Sequence, residues 1–232
     1  MNTMILNGVK KRYGKKAVLA DISVVLKNHQ FVVLLGENGI GKTTLLKLCA
    51  GLIPYDSGEV LLNEARTRQA RAQTSVYVSD EVNMDPFLTL KKAIEVHKRM
   101  ESSFDQDQAI EWCNQLALPL AEKVTTLSTG QRHLFSLVLA AASSRPIIFI
   151  DELLANLDSA KKEAMIALLT DVVTDQSRLV VMASHAYEEV ELLADGAIFL
   201  HANGVEVIKD IEEWRQEHGV SLKALFSKVG RS

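Results

Sequence analysis

The sequence predicts an α/β protein with a mixed, mainly parallel sheet, an N-terminal antiparallel β element and an inserted α-helical lobe. Three observations carry this expectation. The runs Phe31–Leu35, Ile147–Ile150 and Leu179–Ser184 are almost continuously apolar, as strands covered on both faces of a parallel sheet should be. The earliest and latest runs alternate and include turn signals such as Ala202-Asn203-Gly204, which suits antiparallel additions to a parallel centre. From about 81 to 145 the chain carries helical periodicity and no convincing strand, so a helical insertion divides the strands.

Taken in order, short apolar and often β-branched runs predict strands at Met4–Val9, Ile22–Leu26, Phe31–Leu35, Glu59–Leu62, Ser75–Val78, Ile147–Ile150, Leu179–Ser184, Ala197–Leu200 and Val205–Ile208. Apolar residues recurring at helical spacing predict helices at Lys42–Ala50, Thr89–Met100, Gln106–Leu116, Gln131–Ala142, Ser159–Val173 and Tyr187–Leu193. Two further amphipathic pieces, Ile211–His218 and Leu222–Val229, follow Asp210. The expected layout is one domain over 1–232. Its core covers about 1–80 and 146–209, its helical lobe about 81–145, and its short tail 210–232.

Composition narrows the classes. With 232 residues, 47% of them apolar, the chain can bury a sizeable core. A net charge of −3 with both signs well mixed lacks the basic excess of a nucleic-acid binder, so no direct nucleic-acid contact is expected. Cys49 and Cys113 are far apart and form no CxxC pair, which reads as two reduced thiols. No run reaches the roughly 20 apolar residues that span a bilayer, and the N-terminus carries no secretory pattern. Any membrane role is therefore expected to come through a partner.

The chemistry begins directly after Phe31–Leu35. Gly36-Glu37-Asn38-Gly39-Ile40-Gly41-Lys42-Thr43 has the Gly-x-x-x-x-Gly-Lys-Thr spacing of a phosphate-binding loop, between a predicted strand and a predicted helix. Glycines let backbone N–H groups ring an anion without Cβ atoms in the way. The following helix points its positive end at the same spot. Lys42 would reach the β- and γ-phosphates, the Thr43 hydroxyl would ligate Mg²⁺, and Thr44 adds a donor. The expected ligand is a nucleoside triphosphate.

A second piece is Ile147-Ile148-Phe149-Ile150-Asp151-Glu152. Acids at the carboxyl end of a buried parallel strand lie where such sheets bind ligands. Asp151 would hold the Mg²⁺ shell. Glu152 would face the γ-phosphate, where it can polarise an attacking water as general base.

The third piece, Leu127-Ser128-Thr129-Gly130-Gln131, stands just before a predicted helix and upstream of the strand ending in Asp151. It resembles the LSGGQ signature of ABC-type ATPases, with Thr129 in place of a glycine. Ser128, the Gly130 N–H and the helix dipole make another anion-binding start. The resemblance, together with the other two motifs, covers roughly 4–209 and implies the P-loop NTPase fold, with ATP and Mg²⁺ as cofactors. It implies that the signature serves a nucleotide held by the phosphate loop of a second ATPase subunit, expected to be an identical chain.

Further positions follow from the resemblance. Tyr13 matches the aromatic that stacks on adenine, although an ordinary half-buried tyrosine is an equal alternative. His185 matches the histidine that contacts the γ-phosphate and joins Glu152 and Lys42 as catalytic. Ala155-Asn156-Leu157-Asp158 matches the D-loop, with Asp158 at the position that communicates across the dimer. Where the family has a glutamine, Tyr77-Val78-Ser79-Asp80 places Asp80 as a third Mg²⁺ candidate. Ser79 or Glu81 takes that place if the register slips. Leu153 stands where the family has proline.

The resemblance implies the ATP-binding and hydrolysing subunit of an ABC transporter. Such a subunit dimerises on ATP and drives transport through a separate integral membrane permease, peripheral to the cytoplasmic face of the membrane. The phosphate loop, with Asn38-Gly39 in it and Thr43-Thr44-Leu45-Leu46 closing it, looks more like that of bacterial export-type subunits, so export is slightly favoured. Phe87-Leu88-Thr89-Leu90 reads either as part of a permease-docking groove or as lobe core. The alternative is a soluble ABC ATPase acting on a protein or nucleoprotein assembly, such as one for iron–sulfur clusters. A kinase or GTPase is disfavoured, having no use for Leu127–Gln131.

Overall fold

A computed structural model of the chain describes residues 2–27, 30–79, 85–154, 157–176, 178–184, 191–202 and 204–218. The chain starts as an antiparallel hairpin, β1 (Thr3–Tyr13) and β2 (Lys16–Lys27). With β4 (Ser57–Leu62) on the other flank of β1, these strands make a three-stranded sheet in the order β2-β1-β4. Their alternation is the physical signature of a half-buried sheet. Met4, Leu6, Val9, Ile22, Val24 and Leu26 turn inward, while the intervening residues face out.

The second sheet has six strands. Adding β3 (Phe31–Leu35), β5 (Ser75–Ser79), β6 (Ile147–Asp151), β7 (Leu179–Ala183), β8 (Gly196–His201) and β9 (Gly204–Ile208), its order is β5-β6-β7-β3-β8-β9. All neighbours are parallel except β8 and β9, which pair antiparallel. Every residue of β3, β6 and β7 is buried, as their unbroken apolar runs require.

Those strands carry alternate residues into two cores. On one face Ile147, Phe149, Val181, Val32 and Leu34 meet the antiparallel sheet and α1 (Lys42–Cys49). On the other, Ile148, Ile150, Val180 and Met182 meet α5 (Thr129–Ala142) and α6 (Ser159–Gln176). Between β5 and β6 the described residues form no strand. They hold α3 (Leu90–Met100), α4 (Gln106–Gln115), a single 3₁₀ turn at Val124–Thr126, and α5. Helices α3 and α4 are capped by Thr89 and Asp105, whose side chains accept the N–H of Lys92 and Gln108.

Two differences from the sequence expectations have clear reasons. Helix α2 (Arg68–Thr74) was not expected, because its only buried residue is Arg71 and no apolar stripe marks it. Its polar side chains hide a buried role. The Arg71 guanidinium lies over the Tyr55 ring, 5.5 Å from its centroid, and donates to the carbonyls of Cys49 (3.2 Å), Leu48 (3.4 Å) and Arg66. It thereby ties down the C-terminal end of α1, the favourable place for a cation. Strands β1 and β2 run on past their apolar cores, because Lys10–Tyr13 and Lys16–Ala20 continue the pairing through register shifts.

Helix α5 has a matching tie. Buried Arg178, just before β7, donates to the carbonyls of Ala140 (3.4 Å), Ala141 (2.9 Å) and Ser143 at the end of α5. Burial pushes its guanidinium down to about 10, against the nearby Glu101 charge. The tail helix α7 (Ile211–His218) is observed where the sequence predicted it. Most of the expected Tyr187–Leu193 helix and all of Leu222–Val229 lie outside the described residues, and 191–193 form a turn.

Candidate active site

The carboxyl ends of β3 and β6 deliver the two best-defined pieces of the site to one edge of the parallel sheet. The loop from Gly36 leaves β3 with Glu37, Asn38 and Gly39 exposed, then enters α1 at Lys42. Gly41 caps that helix at φ 119°, a conformation L side chains rarely adopt. A Cβ there would also sit 3.2 Å from the Val18 carbonyl. At Gly36 a Cβ would meet the Leu200 carbonyl at 2.5 Å. The glycines are thus demanded by close backbone approach as well as by the turn.

Lys42 is buried under this loop. Its ammonium donates to the carbonyls of Gly36 (2.8 Å) and Glu37 (3.1 Å) and lies 3.8 Å from Glu152 Oε1. Burial lowers its pKa, while the charges of Glu152 and Asp151 pull it back up. Thr43 is exposed and Thr44 half-buried at the start of α1.

Asp151 ends β6, 6% exposed. The Tyr77 hydroxyl donates to its Oδ2 at 2.8 Å. Its other oxygen, Oδ1, is buried and has no hydrogen-bond partner among the described residues. An uncompensated buried carboxylate oxygen is costly, and a hard oxygen ligand beside a phosphate loop is what Mg²⁺ takes. The donor set therefore fits Mg²⁺. Glu152 follows at φ 55°, left-handed backbone that costs a non-glycine residue on the order of 1–2 kcal/mol. Its N–H is held by the Ala183 carbonyl at the end of β7 (3.0 Å).

The signature residues open α5 two residues earlier than expected, at Thr129 rather than Gln131. Ser128 is the N-cap, its side chain accepting the Gln131 N–H, and the Gln131 side chain accepts the Ser128 N–H in return. This reciprocal pair is a capping box. Leu127 is buried. Arg132 donates to the Leu127 carbonyl (2.9 Å) and to Thr129 Oγ1 (3.2 Å). Gly130 is buried against the next helix, where a Cβ would fall 2.3 Å from Lys161 Cδ. Lys161 in turn pairs with Asp158, which also accepts the Lys161 N–H at the start of α6. One turn into α5, buried His133 donates through Nδ1 to the Leu153 carbonyl (3.2 Å), next to Glu152.

Tyr13 closes β1, 52% exposed, with Lys11 Nζ 5.3 Å from its ring centroid. Asp80, His185 and the Ala155–Asn156 half of the D-loop lie outside the described residues. Leu90 is fully buried in the helical layer and Phe87 is 73% exposed, so Phe87–Leu90 divides between packing and surface. Among the described residues no group of His, Cys, Asp and Glu forms a multi-ligand metal cluster. Sequence reasoning missed Tyr77 and His133. Both act on residues remote in sequence, and neither carries a motif.

The ABC transporter family profile matches residues 19–155, more than half of the chain. The ABC transporter ATP-binding protein YtrB of Bacillus subtilis (strain 168) is 28% identical over 215 residues, 92% of this chain and 74% of the relative. The aliphatic sulfonates import ATP-binding protein SsuB 3 of Rhodococcus jostii (strain RHA1) is 32% identical over 204 residues, 87% of this chain and 72% of the relative. A solved structure described as the ATP binding subunit of an ABC transporter superposes with a TM-score of 0.85 at 20% identity. It covers 97% of this chain and 98% of its own, a likeness of fold. With the profile covering more than half of its length, the chain belongs to the ABC transporter family and is an ATP-binding ATPase.

Proposed function

We propose that the chain is the ATP-hydrolysing subunit of a transporter, pairing with a second ATPase subunit and driving a separate membrane permease. The observation that carries the reading is the meeting, at one sheet edge, of Lys42, Glu152 and the unsatisfied Asp151 Oδ1. An anion cradle, a base and a cation ligand in one place serve phosphoryl transfer to water.

In this reading the backbone of Gly36–Gly41 and the hydroxyl of Thr44 bind the phosphates, and Tyr13 stacks on adenine. Lys42 exchanges the Gly36 and Glu37 carbonyls for phosphate oxygens, which restores favourable charge to an ammonium that burial disfavours. Thr43 and Asp151, with Asp80, would hold Mg²⁺, which supplies neutralisation of phosphate charge when bound. Glu152 accepts the proton of the attacking water, and its fixed backbone aims the carboxylate. His185 contacts the γ-phosphate. In the partner's site, Ser128, Thr129 and Gly130 at the start of α5 face the nucleotide, and Asp158 reports across the interface. The core and lobe divide near 80 and 146, the lobe facing the permease.

The sequence leaned towards export, and that lean finds no support. SsuB 3, the relative above with a direction in its name, is an import protein, which favours import. No helix among the described residues is long and apolar enough to cross a membrane. The relatives' being transporter ATP-binding proteins supports a peripheral placement on the cytoplasmic face, reached through the permease.

The test is steady-state ATP hydrolysis by the purified chain and its Glu152→Gln variant, with sedimentation in the presence of ATP. Loss of the general base is expected to lower turnover about 10²–10⁴-fold and to leave an ATP-dependent dimer. Equal turnover in the two proteins would sink the assignment of Glu152. A variant that stays monomeric with ATP would remove the paired-subunit reading.

A further inference from the structure

We infer that Tyr77 is a positioning residue for the cation site, setting the Asp151 carboxylate so that Oδ1 stays directed to the metal. The inference rests on the reading of Asp151 as a Mg²⁺ ligand. Strands β5 and β6 run parallel, with Tyr77 beside Phe149 and Ser79 beside Asp151. Tyr77 therefore starts one full pleat short of the carboxylate, about 6.6–6.8 Å along the strand. Only a side chain as long as tyrosine, with a donor at its tip, crosses that gap, and the hydroxyl arrives 2.8 Å from Oδ2.

The geometry divides the two carboxylate oxygens between different tasks. Oδ2 accepts from Tyr77, while Oδ1 is buried with no hydrogen-bond partner among the described residues. A free carboxylate would rotate about its last torsion, which is broad and two-fold. A donor on one oxygen removes that freedom, much as partners behind metal-bound side chains fix their orientation. The ring is itself held. It packs with the core on the α1 side of the sheet, and Lys47 of α1 lies 5.7 Å from its centroid. The helix that begins with Lys42 and Thr43 thus braces the tyrosine that orients Asp151, so cation ligands from two segments share one support.

Tyr77→Phe keeps the ring and its packing and removes only the hydroxyl. The probe is Mn²⁺, with protein-bound metal measured by electron paramagnetic resonance on the ADP-loaded chain. Alongside it run ADP affinity in excess EDTA and the melting temperature. The expected result is Mn²⁺ binding weakened about 10–100-fold, the usual effect of losing such a supporting partner, with metal-free ADP affinity unchanged. Mn²⁺ affinity within twofold of the parent would overturn the inference. So would an equal loss of metal-free ADP affinity, which marks a general structural role. Asp151→Asn separates the two levels. If it leaves Mn²⁺ binding intact, the assignment of Asp151 itself fails. If it abolishes binding while Tyr77→Phe does not, only the role of Tyr77 fails.

Discussion

Replacing Arg71 by methionine tests whether the phosphate-loop helix is anchored from its far end. The guanidinium is completely buried and donates to carbonyls of Cys49, Leu48 and Arg66. Burial lowers its pKa, against the opposing influence of Tyr55 and Cys49. The Leu48 carbonyl also accepts the Gly51 N–H at 3.1 Å, so two bonds, to Cys49 and Arg66, carry the argument. Hydrogen bonds from a charged donor contribute about 1.5–3 kcal/mol each, and methionine restores part of the buried apolar contact, roughly 1–2 kcal/mol. The net cost is then about 1–5 kcal/mol, a fall in Tm of about 2–20 °C for a chain of this size. Thermal and urea unfolding of Arg71→Met measure it. A fall below about 2 °C, with an unchanged urea slope, would refute the idea that these carbonyls depend on Arg71.

Three other outcomes follow from the same physics. Cys49 and Cys113 are buried thiols pushed up to about 12 by desolvation. A thiol reagent at pH 8 should therefore label neither in the folded protein and both in urea. Glu101 is raised by burial, yet the hydrogen bonds from Ser144 and Ser143 and the Arg145 charge outweigh this and hold its pKa below 4.5. Its contribution is present at neutral pH and is lost as the pH falls below 4.5 through the folded value. Glu101→Gln should therefore cost about 1–3 kcal/mol at pH 7, a deficit that closes in acid, as read by unfolding across pH. Gly130→Ala adds a Cβ 2.3 Å from Lys161 Cδ. It should slow turnover, because the added Cβ displaces Lys161 from Asp158 and meets Leu157 Cδ2 at 3.1 Å, as steady-state ATP hydrolysis by the purified variant would show.

What the sequence made legible was what lies close along the chain. Strands β3, β6 and β7 were recoverable because burial on both faces leaves short apolar runs rich in branched residues. The phosphate loop and the signature were legible because backbone geometry fixes their glycine and hydroxyl positions within a few residues. Helix α2 was not, since its single buried contact is an arginine reaching back to Leu48 and Cys49. Tyr77 escaped for a similar reason. It reads as one more strand residue until the pairing of β5 with β6 brings it to Asp151, 74 positions away. The left-handed backbone of Glu152 has no sequence signal either, because neither glycine nor asparagine stands there.

The central claim is that this ATPase works on a membrane permease. Tagged Glu152→Gln protein, loaded with ATP and Mg²⁺ and recovered from gently solubilised membranes, tests it most directly. The account predicts that a polytopic membrane protein co-purifies in comparable amount. Recovery only from the soluble fraction, bound to ribosomes or to an assembly protein, would contradict it.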